Sequence, residues 1–262
     1  KVTSLDITIP ELKSALTAPA AVTATPGSMA RGKAVLARMV AALGGEAAVD
    51  AVKATRSTSS GSRRTPQGEM NTKVTQTVAY PDRLRQELSL PMGQIVVVLS
   101  GNSGFVTTPM GTQPLPDSQR GEVARALKRQ AIALAQRRGD PSVTAQHVGI
   151  EEVGGAKADV LVLTVDGEES RLFVDQASGR VVRQLYAGST QAGPGEFSGT
   201  YSDFRPVAGD LTLPFHVETR FNGELQSSST VEEIVINPEV TATLFAKPEE
   251  AEGGEGNPGG KI

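Results

Sequence analysis

Most of the chain alternates apolar and polar positions with a period of two. Met70, Thr72, Val74, Gln76, Val78 and Tyr80 fall on one side of an extended segment, with Asn71, Lys73, Thr75 and Thr77 on the other. Leu84, Leu88 and Leu90 then oppose Arg83, Arg85, Glu87 and Ser89. Successive side chains of a strand point to opposite faces, so these are strands with one face buried and one wet. The same pattern predicts strands near 94–99, 104–109, 143–152, 159–165, 170–175, 180–187, 196–203, 214–222 and 226–236. Turn residues at Pro66-Gln-Gly68, Asp166-Gly167 and Ser178-Gly179 separate some of them.

Two stretches follow the helical period instead. The first opens with Ser28 as N-cap and stops at Gly44-Gly45, with Leu36, Met39, Val40 and Leu43 as its apolar stripe. The second runs from about Ser118 to Arg138, turning Val123, Leu127, Ala131 and Leu134 inward and Arg125, Lys128 and Arg129 outward. Gly139-Asp140-Pro141 ends it. The predicted class is α+β, mainly β with two helices, as a long antiparallel meander interrupted once by a helix.

Both ends read as joints. Val2 to Ile9 alternates like a strand until Pro10, and Ala15 to Pro26 is an Ala/Thr/Pro linker too poor in apolar area to fold alone. The Glu/Gly-rich tail from Glu249 to Ile262 is expected to be disordered for the same reason. The division is therefore 1–27 for strand and linker, 28–248 for the domain and 249–262 for the tail. A start at Lys1, with neither initiator Met nor apolar signal segment, predicts a mature or excised piece of a longer polypeptide.

Composition narrows the function classes. At 262 residues the chain is long enough for a sizeable core, and its net charge of −3 offers nucleic acid no broad basic face. No run of about 18 apolar residues exists to span a bilayer as a helix. Cysteine is absent, which removes disulfides, thiolate metal sites, a Cys nucleophile and a lipid-modified Cys.

The candidate chemistry is thin. In Val98-Leu-Ser-Gly-Asn-Ser-Gly-Phe-Val106 the Gly-rich turn feeds residues that read as another strand, whereas a phosphate cradle needs a helix N-terminus. Ser103 as a nucleophile fails on chain order for a trypsin-like arrangement, since His147 and His216 both follow it, and Phe105 stands where a hydrolase elbow needs Gly. His216 sits on the polar side of its strand, and His147 has no His or Cys neighbour to complete a metal shell. Glu151-Glu152, Glu168-Glu169 and Glu232-Glu233 are neighbours on strands, which splits each pair between two faces. No cofactor motif is present.

One arrangement of motifs is informative as an order. Ala41-Ala-Leu-Gly-Gly45 ends a helix and precedes a hairpin. Tyr80-Pro-Asp-Arg83 opens a strand, and Ile95 to Leu99 leads into Ser100-Gly-Asn-Ser-Gly-Phe105. A middle helix follows, and the chain closes with Ile234-Val-Ile-Asn-Pro238 and Leu244-Phe-Ala-Lys-Pro248. This order resembles the LolA-like family of periplasmic lipoprotein carriers, over roughly residues 28–248. The stretch Tyr201-Ser-Asp-Phe-Arg-Pro-Val-Ala-Gly209 with Leu213-Pro214 resembles the outer-membrane lipoprotein-sorting relatives. One departure stands out: the carrier has an Arg directly before the Pro that opens this strand, holding its lid closed, and Tyr80 stands there.

The resemblance implies an incomplete, strongly curved antiparallel β-barrel with helices as a lid on its concave side, in the periplasm or cell envelope of a Gram-negative bacterium. It implies a non-catalytic domain binding a lipid or lipoprotein acyl chain. The expected concave lining is Val74, Val78, Leu84, Leu88, Ile95, Val97 and Phe105 from the sheet. Leu36, Val40, Val123, Leu127 and Leu134 complete it from the helices, with Leu88 and Leu127 facing each other across the space. Sheltering about ten methylenes contributes roughly 8 kcal/mol before binding costs, enough for micromolar affinity without a charged group. The same side chains could instead meet as a filled core. The protein would then be an interaction module of a larger envelope protein, such as the appendage of an insulinase-like zinc peptidase, whose His-x-x-Glu-His motif is absent here. An enzyme is the least supported reading.

Overall fold

The computed structural model describes residues 23–65, 68–90, 93–190 and 193–248. The expected strand at Val2 to Ile9, most of the Ala/Thr/Pro linker, the first two residues of the Pro66 turn and the Glu/Gly tail lie outside the described residues.

The chain opens with α1 (Pro26–Leu43), which starts earlier than the sequence pattern predicts. Its N-cap is Thr25, whose hydroxyl accepts from the Ser28 amide at 3.1 Å while the Ser28 hydroxyl accepts from the Thr25 amide at 2.9 Å. This reciprocal capping box satisfies two orphan donors, and Pro26 fits the first turn, where a missing N–H costs nothing. Ser28 is thus the third helical residue, not the cap. The helix stops at Gly44, with φ of 129°, as expected. No Cβ is tolerated there, because the backbone of Asp210 lies 2.6 Å from where it would stand. A short α2 (Glu46–Asp50) follows.

Six strands come next: β1 (Ala54–Thr65), β2 (Gly68–Ala79), β3 (Arg83–Leu90), β4 (Gly93–Ser100), β5 (Ser103–Thr108) and β6 (Gly111–Pro114). Two helices follow, α3 (Asp117–Lys128) and α4 (Ala131–Gln136), then seven more strands. These are β7 (Val143–Val153), β8 (Ala156–Val165), β9 (Glu168–Asp175), β10 (Val181–Thr190), β11 (Gly193–Ala208), β12 (Leu211–Phe221) and β13 (Glu224–Ile236). A 3-10 turn, Ala242–Phe245, ends the described chain.

All 13 described strands form one antiparallel sheet in the order β6-β5-β4-β3-β2-β1-β13-β12-β11-β10-β9-β8-β7. The pairing that joins its halves is β1 with β13, Thr55 opposite Ile236 and Ser57 opposite Ile234. Strand β1 lacked apolar alternation because both its neighbours are strands and its faces carry Thr, Ser and Arg. Pairing on two sides holds it, with no need of an apolar stripe. The topology then fixes the helices: the chain leaves the sheet at one edge, β6, and re-enters at the other, β7. The segment between has to cross a face of the curved sheet, and that segment is α3 and α4.

Packing confirms the crossing. Leu36, Met39, Val40 and Leu43 of α1 share a buried cluster with Ile132 and Leu134 of α4 and with Leu161, Leu163 and Leu172 of the sheet. Leu127 of α3 packs with Val78, Leu84 and Leu99, and Val123 lies against them. The helices therefore cover one concave side, as the sequence predicted. The opposite face has its own small clusters: Ala158, Val160 and Phe173 at one end, and Val96, Val98 and Phe105 under Phe245 at the other.

The second helix departs from the sequence reading. It is two pieces broken at Arg129 and Gln130, and Gln130, in extended conformation, is the N-cap of α4. The Gly139-Asp140-Pro141 stop lies just beyond α4, as predicted. No helix among the described residues is long and apolar enough to cross a membrane.

Candidate functional site

Strand register assigns the faces. Thr55 and Ser57 of β1 lie opposite Val78 and Gln76 of β2, which lie opposite Leu84 and Gln86 of β3, then Leu99 and Val97 of β4. Val74, Leu88 and Ile95 continue the same face. In the other half the concave positions include Leu172, Gln184, Tyr201, Val217, Val231 and Ile234, each within reach of α1 or α4.

Between α1, α4 and this face is a cavity of about 290 Å³. Met39, Ala42 and Leu43 of α1 and Ala131, Ile132 and Leu134 of α4 roof it. Val181, Phe204, Leu213, Val217, Val231 and Ile234 supply the apolar wall, and Thr55, Ser57 and Gln76 a polar strip. The volume is near the lower end of the ~300–1,000 Å³ typical of ligand pockets.

Two hydrogen-bond sets hold the α3–α4 junction on the sheet. From β10, Gln184 donates to the Arg129 carbonyl oxygen at 3.3 Å and accepts from the Tyr201 hydroxyl at 3.0 Å. From the end of β2, the Tyr80 hydroxyl donates to Gln130 Oε1 at 3.0 Å. Burial pushes the Tyr80 phenol up to about 12 and raises Tyr201 as well, which keeps both hydroxyls protonated donors at neutral pH. On the far side, the Gln136 amide donates to the carbonyls of Val49 and Val52 at 3.1 and 2.7 Å, fixing α4 to the segment that enters β1.

The sequence-predicted lining is distributed unevenly around this space. Leu134 lines the cavity. Leu36 and Val40 are buried in the cluster around it, while Val78, Leu84, Val123 and Leu127 fill the α3 end of the concave face. Leu127 does not face Leu88 across an open space; it packs with Val78, Leu84 and Leu99. Val74, Leu88, Ile95 and Val97 are half-buried on the concave side of β2 to β4. Phe105 is a correction: paired with Val98 on β4, it takes the opposite face and packs with Phe245.

Gln184, Tyr201, Gln130 and Arg129 were not predicted as lining. A signal for part of the polar strip existed, since Gln76 shares its alternation with Val74 and Val78. Arg129 was placed outward because a continuous helix would put it there. The break at Gln130 turns it to the cavity, over the Tyr186 ring at 4.0 Å from the centroid.

The other chemical candidates have structural partners. Ser103 donates to the Ser100 carbonyl oxygen at 2.9 Å and closes the β4–β5 turn. His147 Nε2 lies 2.8 Å from Asp159 Oδ1, in a buried cluster where Arg38 reaches Asp159 Oδ2 at 2.6 Å and ties α1 to the sheet. His216 Nδ1 lies 3.5 Å from Thr230 Oγ1, and all six paired glutamates are exposed. Among the described residues no three His, Cys, Asp or Glu side chains gather in a group that could hold a metal ion.

No family model matches the chain, and no curated relative matches it in sequence. Solved structures do match in fold. A LolA superfamily protein from Nitrosomonas europaea is 14% identical, with a TM-score of 0.55 over 82% of this chain and 97% of its own. A putative outer membrane lipoprotein-sorting protein domain from Vibrio parahaemolyticus is 9% identical, with a TM-score of 0.55 over 83% and 97%. A DUF1329 family protein from Desulfovibrio piger is 9% identical, with a TM-score of 0.58 over 84% and 97%. The fold is LolA-like.

Proposed function

We propose that this protein is a non-catalytic carrier of the cell envelope that shelters the acyl chain of a lipid or lipoprotein inside its open half-barrel. The observation that carries the reading is the cavity of about 290 Å³ under α4, walled mostly by aliphatic side chains. Taking ~30 Å³ per water-sized group, that space accommodates on the order of ten methylenes. Their transfer from water contributes roughly 8 kcal/mol before the costs of association, so a tail alone supports micromolar binding. The similarity in fold to the outer membrane lipoprotein-sorting protein domain from Vibrio parahaemolyticus supports a lipoprotein-related role.

The alternative is an accessory module with a filled concave face. The α3 end is on its side, since Leu127 is packed solid there. The open α4 end favours the carrier. Native mass spectrometry of the protein purified from its own cell envelope tests this directly, together with titration by a fluorescent fatty acid. A co-purified lipid mass and saturable displacement of the probe are expected. A bare polypeptide mass combined with no probe binding would eliminate the carrier.

A further inference from the structure

The cavity wall carries positive charge and no carboxylate of its own; Glu122 and Glu168 act on Arg129 only from outside the wall. Among the described residues lining it, Arg129 and Arg180 are the charged ones, and no Asp or Glu is present. Other cations of the same crossing segment are all engaged: Arg125 with Glu122, Lys128 with Asp166, Arg137 with Asp140 and Asp166, Arg138 with Asp50. Arg129 and Arg180 have no carboxylate oxygen within 4.0 Å among the described residues. Each instead lies over an aromatic ring, the Arg129 Cζ 4.0 Å from the Tyr186 centroid and the Arg180 Cζ 5.1 Å from that of Phe204. A ring below a guanidinium is a cation–π partner and takes up none of its hydrogen-bond donors, so N–H groups remain for an anion.

The position is costly for Arg129. Burial lowers its pKa and outweighs the pull of Tyr186, Glu122 and Glu168, none of which is ion-paired with the guanidinium directly, so its charge is disfavoured where it stands. An arginine nevertheless stays protonated at neutral pH. Partly buried charges are retained where something pairs with them. The guanidinium geometry matches a two-oxygen anion, carboxylate or phosphate, bound through parallel N–H···O bonds.

We propose that the cargo is an anionic amphiphile, its acyl tail against Leu134, Leu213 and Ile234 and its carboxylate or phosphate head on Arg129, with Arg180 adding a second positive group to the same cavity. This rests on the carrier reading and adds the class of head group. The occupant is a lipid and not a free anion, because most of the remaining cavity wall is aliphatic.

The test is displacement of a fluorescent fatty acid from the full chain at neutral pH by dodecanoate, dodecyl phosphate, dodecanol and inorganic phosphate. Dodecanoate and dodecyl phosphate are expected to bind at least about tenfold more tightly than dodecanol, as a charge-assisted pair allows. Inorganic phosphate is expected not to displace the probe. Arg129→Gln is expected to remove most of the preference of both anions over dodecanol, Arg180 keeping the rest, and to leave dodecanol unchanged, which also reports an intact fold. Equal affinity of acid and alcohol for the parent protein overturns the head-group assignment, as does an equal loss for all three ligands in Arg129→Gln. Displacement by inorganic phosphate would make this a free-anion site and overturn it too. If Arg129→Gln does not fold, Arg129→Lys decides. It keeps the charge without the planar fork and should weaken both anions several-fold with dodecanol unchanged; no change in the anions refutes the assignment. Failure of every dodecyl compound removes the carrier reading itself.

Discussion

Leu127→Ala tests the claim that the concave face is solid under α3 and open under α4. Leu127 is 1% exposed and touches Val78, Leu84 and Leu99. Truncation removes three carbon groups, about 2.4 kcal/mol at ~0.8 kcal/mol each. It also leaves a void that the rigid sheet cannot close, bringing the expected loss to about 3–4 kcal/mol within the range seen for buried leucines. For a chain of this size that corresponds to a Tm about 6–16 °C lower, at ~2–4 °C per kcal/mol. Dodecanol affinity is expected to stay within about twofold, because neither Leu127 nor Val78, Leu84 and Leu99 lines the cavity. The companion substitution Val231→Phe should do the reverse. Its ring enters existing space, so stability should change by less than about 1 kcal/mol while dodecanol binding falls about tenfold or more. Urea melts and probe displacement on both variants provide the comparison. A Leu127→Ala cost below about 1 kcal/mol, or unchanged dodecanol binding in a stable Val231→Phe, would refute the division of the concave face into a filled and an open end.

Two further outcomes depend on pH. Burial raises Tyr80 to about 12, so its contribution is complete below the unfolded value of about 10 and is lost as pH rises through the folded value. Urea melts should show stability falling from about pH 10 upward, and Tyr80→Phe, which strands Gln130 Oε1, should cost about 1–2 kcal/mol at neutral pH and flatten that limb; an unaltered limb would remove the assignment. Burial works against the Asp159 carboxylate, yet bonds from Arg38, His147 and Gln176 outweigh it and hold its pKa below the usual value. Its stabilisation is present above about pH 4 and lost as pH falls, so Asp159→Asn should cost about 1.5–3 kcal/mol at neutral pH and much less at pH 2. Equal costs at both pH values would show that the charge is not what anchors α1.

Local pattern was enough for most strands and for the existence of the two long helical stretches, but not for β1, β6, α2 or the break at Gln130. Alternation placed β2 to β5 and β7 to β13 within a few residues, because each has one face on helices or aliphatic clusters and one toward water. The apolar stripe of α1 was legible, since Leu36, Met39, Val40 and Leu43 repeat at helical spacing against one surface. The LolA-like arrangement was legible as an order of short motifs. The sequence also allowed Gln76 to be placed with Val74 and Val78, although nothing local says that a glutamine there meets a cavity.

Tertiary structure decided the rest, because it depends on contacts distant along the chain. Strand β1 has no apolar stripe and exists because β13, more than 160 residues away, pairs with it along its length. That pairing sends β6 and β7 to opposite edges and makes the intervening helices cross the concave face. The turn of Arg129 into the cavity comes from a helix break held by Gln184 and Tyr80, two residues on different halves of the sheet. Phe105 left the expected lining because its register opposite Val98 puts it on the other face, where Phe245 packs with it. Periodicity reports which side of a strand is buried; only the assembled sheet determines what buries it, and where the packing stops short and leaves a cavity.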